Sequence, residues 1–121
     1  MADERSTAGR GARGEERAAE YLRGRGWDIV ARNVRSRRGE VDLVAARDDL
    51  VAFVEVKAWD SLGPADLEYA IGAAKRRRIR EAARLFLARR PDLAGHRARF
   101  DVVLLGGDPP RVRHLEDAFT E

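Results

Sequence analysis

The stretch EVDLVAARDDLVAFVEVKA, residues 40–58, decides the fold of this chain. It contains two apolar runs, 40–46 and 50–58, in which valine recurs, and the run 50–58 is the stronger. Between the runs stand Asp48 and Asp49, residues that favour tight turns. Two strand-like runs joined by so short a turn predict an antiparallel β-hairpin.

The register of this hairpin brings charges together. With a two-residue turn, Asp42 lies opposite Glu55 and Glu40 lies opposite Lys57. Because side chains alternate faces along a strand, Glu55 and Lys57 share a face with apolar neighbours, where an ionised carboxylate costs several kcal/mol unless it is paired or bound to metal. Facing carboxylates become tolerable with a divalent cation between them, and hard oxygen ligands suit Mg²⁺ or Mn²⁺. We therefore expect Asp42 and Glu55 to be metal ligands.

Two alternatives remain open at this point. A three-residue turn without a bulge would turn Asp42 to the other face of the sheet. Alternatively, with the two-residue turn, Glu40 opposite Lys57 could be an ordinary exposed cross-strand pair, because a Glu-X-Lys sequence is common in strands.

The rest of the pattern predicts one α/β domain with a mixed β-sheet. Residues 1–11 are small and polar and are expected to form a disordered tail, which leaves 12–121 as a single domain. The predicted order is helix, three strands, helix, strand, followed by a short final strand. The predicted bounds are a helix at 13–23, a strand at 27–34, a helix at 65–89, and strands at 99–105 and 111–115.

Two charged residues interrupt the apolar stripes of the predicted helices. Glu15 lies on the inner stripe of the first helix, and Lys75 lies between Ile71 and Ile79 on that of the second. Either side chain alone could extend from a helix interface into solvent. A pocket shared with Glu55 would account for both.

Composition favours a nucleic-acid partner. All but two of the 24 basic residues are arginine, whose planar guanidinium binds phosphate well. They cluster around one turn, at Arg35, Arg37 and Arg38, and in the stretch 75–80, which includes Lys75 and Arg78. Such clusters are typical of nucleic-acid binding, although the arginine content could also reflect genome composition. His96 and His114 are expected to be surface residues.

The sequence also excludes several classes of protein. It has no cysteine, so disulfides, zinc-thiolate sites and thiol nucleophiles are absent. No apolar run approaches the roughly 18 residues of a membrane span, and the N-terminus does not resemble a signal peptide. We expect a cytoplasmic protein with no membrane partner.

At the level of motifs, Asp42 followed by twelve residues and Glu55-Val56-Lys57 resembles the PD-(D/E)xK nuclease signature. The wider pattern resembles the small YraN-type family, whose members are described as endonuclease-like and similar in fold to archaeal Holliday-junction resolvases. The motifs that carry this second resemblance are Gly14-Glu15, Asn33, Gly39-Glu40-Val41-Asp42-Leu43, Phe53-Val54-Glu55-Val56-Lys57, Lys75, Arg99-Phe100-Asp101-Val102-Val103 and His114-Leu115-Glu116-Asp117-Ala118-Phe119.

The resemblance implies a restriction-endonuclease-like core and a metal-dependent nuclease acting on DNA. Asp42 and Glu55 would hold Mg²⁺ (or Mn²⁺), Lys57 would be the catalytic lysine, and Glu15 would be the acidic residue from the first helix. Lys75 and the arginine turn would bind flanking phosphates. Trp59 and the segment 60–68 depart from the family pattern at the rim that faces the substrate.

Three functions follow as hypotheses: a nuclease for branched or damaged DNA in repair or recombination, a catalytically silent nucleic-acid-binding module, and a structural partner of an acidic protein. A single site cuts one strand, so a double-strand or paired junction cut would call for a homodimer.

Overall fold

The computed structural model describes residues 2–37, 39–58, 72–107 and 109–119, with side chains from residue 13 onward. Two α-helices and five strands are found in these residues. In chain order they are α1 (Ala2–Gly24), β1 (Asp28–Arg35), β2 (Glu40–Arg47), β3 (Leu50–Ala58), α2 (Ala73–Ala88), a 3-10 turn (Pro91–Leu93), β4 (Arg97–Gly106) and β5 (Arg111–Leu115).

The strands form one mixed sheet in the order β1-β2-β3-β4-β5. Neighbouring strands are antiparallel except β3 and β4, which are parallel and are connected through α2. The predicted α/β class and mixed sheet are confirmed. The predicted core order of helix, three strands, helix and one strand is not, because β5 follows β4 in a hairpin and supplies backbone partners to an edge that would otherwise be unpaired.

Helix bounds differ most from the sequence prediction. α1 begins at Ala2, so the helix includes residues 2–11, which were expected to form a disordered tail. Alanine, glutamate and arginine in this segment favour helix, and each added residue gains a hydrogen bond once a helix is nucleated. The start predicted for the second helix, with Trp59 and the segment 60–68, lies outside the described residues.

Each face of the sheet is covered by one helix. On one face, α1 packs Ala18, Ala19 and Leu22 on the sheet, in a cluster that also includes Trp27. On the other, α2 contributes Ile79, Ala82 and Ala83 to a larger cluster that includes Phe53 and Phe100. The predicted inner stripe of the second helix is confirmed at Ile79 and Ala82 but is wrong at Leu85, which is exposed. Because the sheet is buried on both faces, a charged side chain on either one needs a specific partner.

The β2–β3 hairpin has the predicted register near its turn. Arg47 pairs with Leu50 across a two-residue turn, and pairing continues to Leu43 opposite Val54. Asp48 adopts a φ of 54°, as aspartate in a tight turn can. The pairing relation predicted for the hairpin is therefore confirmed for five residue pairs, although these pairs do not extend to Asp42 and Glu55.

Both β1 and β2 break their alternation just beyond this point. In β2, Val41 and Val44 pack in the same cluster under α2, although residues three positions apart in a regular strand face opposite sides. In β1, Ala31 and Val34 do the same. The neighbours of Asn33 pair with Leu43 and Val41 of β2, so Asn33 lies opposite Asp42 in the register. Asn33 has a φ of 49°. A left-handed residue of this kind rotates the strand beyond it, which asparagine tolerates better than most residues.

A buried ionic network ties the C-terminal segment to the sheet. The carboxylate of Asp101 is 0% exposed and accepts two hydrogen bonds from Arg99, at 2.9 Å each. It also accepts the backbone N–H of Asp117 at 3.0 Å and lies 2.7 Å from Nε2 of His114. These partners outweigh burial, which would raise the pKa of Asp101, and they hold that pKa below its ordinary value.

The expectation that His114 is a surface residue is therefore wrong. Its side chain is only 5% exposed and lies between Asp101 and the ring of Tyr21, whose centroid is 5.7 Å away. The histidine reaches this position because β5 pairs with β4, which the local pattern around residue 114 does not encode.

We predict that Asp101→Asn lowers the free energy of unfolding at pH 7 by about 3–5 kcal/mol, because it removes the fully buried carboxylate that pairs with Arg99 and leaves that guanidinium with the exposed Glu116, 3.9 Å away. Asp92→Asn is the matched control. Asp92 forms a similar two-bond pair with Arg90, at 3.0 and 2.9 Å, but its side chain is 58% exposed. Urea unfolding of both variants would contradict the prediction if the two losses were equal.

Candidate functional site

The C-terminal end of β3 carries a carboxylate that is paired with two ammonium groups. Oε1 of Glu55 lies 3.1 Å from Nζ of Lys57 and 2.7 Å from Nζ of Lys75. Glu55 is 8% exposed at its side chain, whereas both lysines are about a third exposed. β3 positions Glu55 and Lys57 by its alternation, and the first turn of α2 brings Lys75 over them from above.

Asp42 reaches the same region from the neighbouring strand. Its Oδ2 accepts the backbone N–H of Val56 at 2.8 Å. In a regular antiparallel ladder, alternation from the hairpin turn would direct this N–H to the carbonyl of Val41. The Asp42 carboxylate thus replaces the main-chain carbonyl of Val41 as the acceptor for this N–H. As a result, β2 and β3 are no longer paired beyond Leu43 and Val54. Asp42 fills the gap that results.

The environment of Asp42 raises its pKa to about 7. Burial is the largest cause, followed by the negative charge of Glu55, and the N–H of Val56 only partly opposes them. Glu15 and Glu40 add smaller repulsions. In the described part of the chain, the contact made by the Asp42 carboxylate is with a backbone N–H, whereas the two nearby ammonium groups contact Glu55.

The pKa of Lys75 is raised. Its burial disfavours the charged form, but the hydrogen bond to Glu55 and the charges of Glu55 and Asp42 outweigh that effect. The Lys75 side chain is thus held as an ammonium. The helix itself gives no such support, because a cation near a helix N-terminus is opposed by the helix dipole and α2 has no acidic residue in its first turn.

The donor set suits a hard divalent cation. Asp42 and Glu55 come from adjacent strands, and Mg²⁺ is commonly held by one or two carboxylates together with water and phosphate. In the described part of the chain, no group of three or more acidic or histidine side chains is arranged to hold a metal. Glu15 affects Asp42 through its charge but does not complete such a group. A cation here would have two protein ligands.

Beside this cluster, a groove of about 1290 Å³ runs between the β1–β2 turn and α2. Arginine side chains line both of its walls, and two glutamates lie among them. Those glutamates are paired: Glu40 lies 3.4 Å from Arg35, and Glu81 lies 2.6 Å from Arg84. Its charged lining residues are Arg35, Arg37, Glu40, Arg77, Arg78, Arg80, Glu81 and Arg84. The groove is thus net positive, as a phosphate-binding surface must be.

The turn is held against α2 by a close backbone contact. Gly39 donates its N–H to Oγ of Ser36 at 3.1 Å, and Ser36 donates its own N–H to the carbonyl of Gly39 at 2.8 Å. A Cβ at position 39 would come within 2.5 Å of the carbonyl oxygen of Arg78. Only glycine allows the turn to approach the helix this closely, so Gly39 sets the width of the groove at this end.

Most of the predicted site residues fall into two neighbouring groups. Glu55, Lys57 and Lys75 are in direct contact, and Asp42 is near enough for its pKa to respond to Glu55. Glu15 lies on α1 and is partly buried. The predicted nucleic-acid residues Arg35, Arg37 and Arg78 line the groove, whereas Arg38 lies outside the described residues.

Arg77 and Arg80 belong to the predicted basic cluster 75–80 but were not chosen from it as binding residues, and Arg84 lies outside that cluster. They line the groove from α2, with Arg77 and Arg84 seven residues apart on one exposed stripe. This heptad spacing was visible in the sequence and could have identified them. The facing wall could not have been identified, because nothing local predicts that the β1–β2 turn contacts α2.

We predict that the stability of the protein falls as pH rises through the neutral range in EDTA. Folded Asp42 keeps its proton up to about pH 7, whereas the unfolded chain releases it near its ordinary pKa of 3.8. The folded state therefore binds more protons between these values, and unfolding becomes easier as pH increases. From pH 5 to pH 8 this group should remove on the order of 2 kcal/mol.

Asp42→Asn should flatten this dependence, because the amide keeps an oxygen for the Val56 N–H without the charge. Asp28→Asn, at an exposed position on β1, serves as the control. The measurement is the free energy of chemical unfolding of the wild-type protein and both variants at pH 5 and pH 8. An unchanged pH slope in Asp42→Asn would exclude Asp42 as the titrating group.

We predict that Gly39→Ala destabilises the fold by at least about 1–3 kcal/mol, since the methyl group meets backbone that cannot move aside independently. Gly24→Ala is the control, because a Cβ at that position has nothing within 4 Å. If thermal unfolding gave the same melting temperature for both variants, the turn would not be in close contact with the backbone of α2.

Comparison with known proteins agrees with the motifs. Residues 14–105 match the model of "Uncharacterised protein family UPF0102". A UPF0102 protein of Azorhizobium caulinodans is 48% identical over 110 residues, which cover 91% of this chain and 82% of that protein. One from Treponema pallidum is 42% identical over 116 residues, or 92% of each chain. One from Rhodococcus jostii is 47% identical over 114 residues, which cover 90% and 94% respectively. The chain belongs to the UPF0102 family, the YraN-type family that its motifs resemble.

Proposed function

We propose that this protein is a metal-dependent nuclease that hydrolyses phosphodiester bonds of DNA, with branched or damaged DNA as its substrate. One observation carries the proposal: Asp42 accepts the N–H of Val56, next to Glu55, so two carboxylates from neighbouring strands meet beside Lys57 and near an arginine groove. In the same proposal the sheet and its flanking helices are a restriction-endonuclease-like core, to which β5 is added.

Asp42 and Glu55 would hold Mg²⁺ or Mn²⁺, with Glu15 acting through a bridging water. The cation would lower the pKa of a bound water and neutralise charge at the scissile phosphate. Binding is favourable for the protein as well, because a cation would offset both the burial of the Asp42 carboxylate, which is the largest cause of its raised pKa, and the repulsion from Glu55. The site thus gains stability from the ion that the chemistry requires.

Two roles are open to Lys57, namely proton abstraction from the attacking water and stabilisation of negative charge at the phosphate. Its contact with Glu55, at 3.1 Å, favours the second. An ammonium paired with a carboxylate has three N–H donors and no lone pair with which to accept a proton. Lys57 would then act as an electrostatic group aimed at the transition state.

The arginine groove would hold the flanking strand. Its arginine side chains are suited to phosphate oxygens, and phosphate contacts carry no sequence information, so affinity should depend on salt and little on sequence. This favours recognition of DNA shape. A cut on both strands of a junction would require two such sites, which a homodimer would supply.

The groove also supports a second candidate, a catalytically silent nucleic-acid-binding module. Arginine–phosphate contacts need no metal, so binding by itself does not distinguish the two functions. A third hypothesis, that the protein is a structural partner of an acidic protein, involves the same arginine surface.

None of the helices in the described ranges is long and apolar enough to cross a membrane.

We predict that the purified protein cleaves four-way-junction or single-stranded DNA with Mg²⁺ or Mn²⁺. Asp42→Ala and Lys57→Ala should abolish cleavage and retain salt-sensitive binding, because the groove is intact in both. Gel assays of cleavage and binding on the same substrates separate the candidates. Binding without cleavage on every substrate supports the silent module, and binding that is absent or indifferent to salt supports the protein partner.

Metal uptake has a separate readout. At pH 8, Mn²⁺ should raise the melting temperature of the wild-type protein and have little effect on Asp42→Asn. Equal shifts in both proteins would place the ion elsewhere.

A further inference from the structure

Two ammonium groups converge on a single oxygen atom, which is an unusual arrangement for a site that is expected to bind a cation. Oε1 of Glu55 accepts contacts from Lys75 at 2.7 Å and from Lys57 at 3.1 Å. These are the two lysines of the whole sequence, in which every other basic side chain is arginine. Both flexible point charges of the protein are therefore placed at one carboxylate.

The charges at this position already balance. The two ammonium groups match the two carboxylates Asp42 and Glu55 when both are ionised. A divalent cation that enters the same space doubles the positive charge, and like charges this close in a partly buried site repel strongly. Either an ammonium must leave or a further anion must enter.

Lys75 is the group that can leave. Lys57 belongs to β3, whose backbone is paired with β4 as far as Ala58, and its side chain projects on the same face as Glu55. Lys75 comes from α2, and its contact with Glu55 spans the space between helix and sheet. A four-carbon side chain about a third exposed can swing toward solvent without moving the helix.

We propose that Lys75 is a displaceable counter-ion: it neutralises Glu55 in the cation-free protein, leaves when a divalent cation binds, and then contacts the phosphate of the bound strand. This inference rests on the cation site proposed above and assigns that site its regulation. The lysine would hold the Glu55 side chain in place while the site is empty of metal.

The position of the groove gives the released ammonium a destination. Ala74, next to Lys75, lines the groove, as do Arg77 and Arg78 less than one turn further along α2. A phosphate held by these arginines would meet Lys75 once it is free. Cation binding should therefore increase affinity for a nucleic-acid strand, and by thermodynamic reciprocity the strand should increase affinity for the cation.

Selective labelling of lysine tests the displacement in the intact wild-type protein. Protein carrying ¹³Cε-lysine should give two NMR signals, which Lys75→Arg assigns. On titration with Mg²⁺, the signal of Lys75 should move to the position of a free lysine side chain, with a smaller change for Lys57. Mg²⁺ binding, registered as a rise in melting temperature, without movement of the Lys75 signal would overturn the proposal.

Calorimetry with Mn²⁺ and no nucleic acid gives a second test. Lys75→Met should bind Mn²⁺ about tenfold or more tightly than wild type, because no hydrogen-bonded ammonium has to be displaced. Arg77→Met, which removes a nearby charge that does not touch Glu55 in the described contacts, should change affinity much less. Lys75→Gln, which retains a hydrogen-bond donor, replaces Lys75→Met if that variant does not fold.

The outcomes distinguish the two proposals. Mn²⁺ binding that is equal or weaker in the Lys75 variant overturns the displacement and leaves the cation site standing. Absence of Mn²⁺ binding in every variant, including wild type, overturns the cation site and the displacement together.

Discussion

The hydrogen bond from the Val56 N–H to the Asp42 carboxylate is the interaction on which the site depends. It occupies a donor that would otherwise continue the ladder between β2 and β3, so the two strands separate beyond Leu43 and Val54. The separation interrupts the pairing within an otherwise continuous sheet, and Asp42, Glu55 and Lys57 lie at this interruption. Opposite Asp42, the left-handed backbone of Asn33 lets β1 follow the same change of direction.

Two buried acids show how differently such groups can be used. Asp101 is enclosed by Arg99, His114 and the N–H of Asp117, and its pKa lies below the ordinary value. Asp42 is largely buried, lies near other carboxylates and accepts a single backbone N–H, and its pKa is raised to about 7. The first acid is satisfied by protein groups and holds the C-terminal segment in place. The second is satisfied only in part, which is typical of an acid that awaits a ligand.

The lysine pair lies between these extremes. Glu55 is more than satisfied by Lys57 and Lys75, whereas Asp42 close by is not. Such an uneven distribution of charge does not maximise the stability of the fold, because one ammonium group beside each carboxylate would neutralise both acids. It becomes reasonable if a divalent cation and a phosphate complete the site, and the arginine groove beside α2 offers the surface on which a phosphate chain would lie.

The sequence by itself determined the hairpin register, the strands β3 and β5, and the grouping of Glu55 with Lys57. These follow from strand alternation and a two-residue turn, which act over a few residues. The inward position of Lys75 was likewise visible as an exception on an apolar stripe. Local patterns are sufficient wherever the periodicity of one element decides which way a side chain points.

Only the tertiary structure decided where those elements meet. That Asp42 would replace a ladder partner of Val56, that Gly39 would press on the backbone of Arg78, and that His114 would be buried against Asp101 all depend on contacts between elements distant in sequence. The early start of α1 and the addition of β5 to the sheet edge belong here as well. Propensity describes a residue within its own segment, but closeness between segments is set by packing, and it is packing that places two acids, two lysines and an arginine groove side by side.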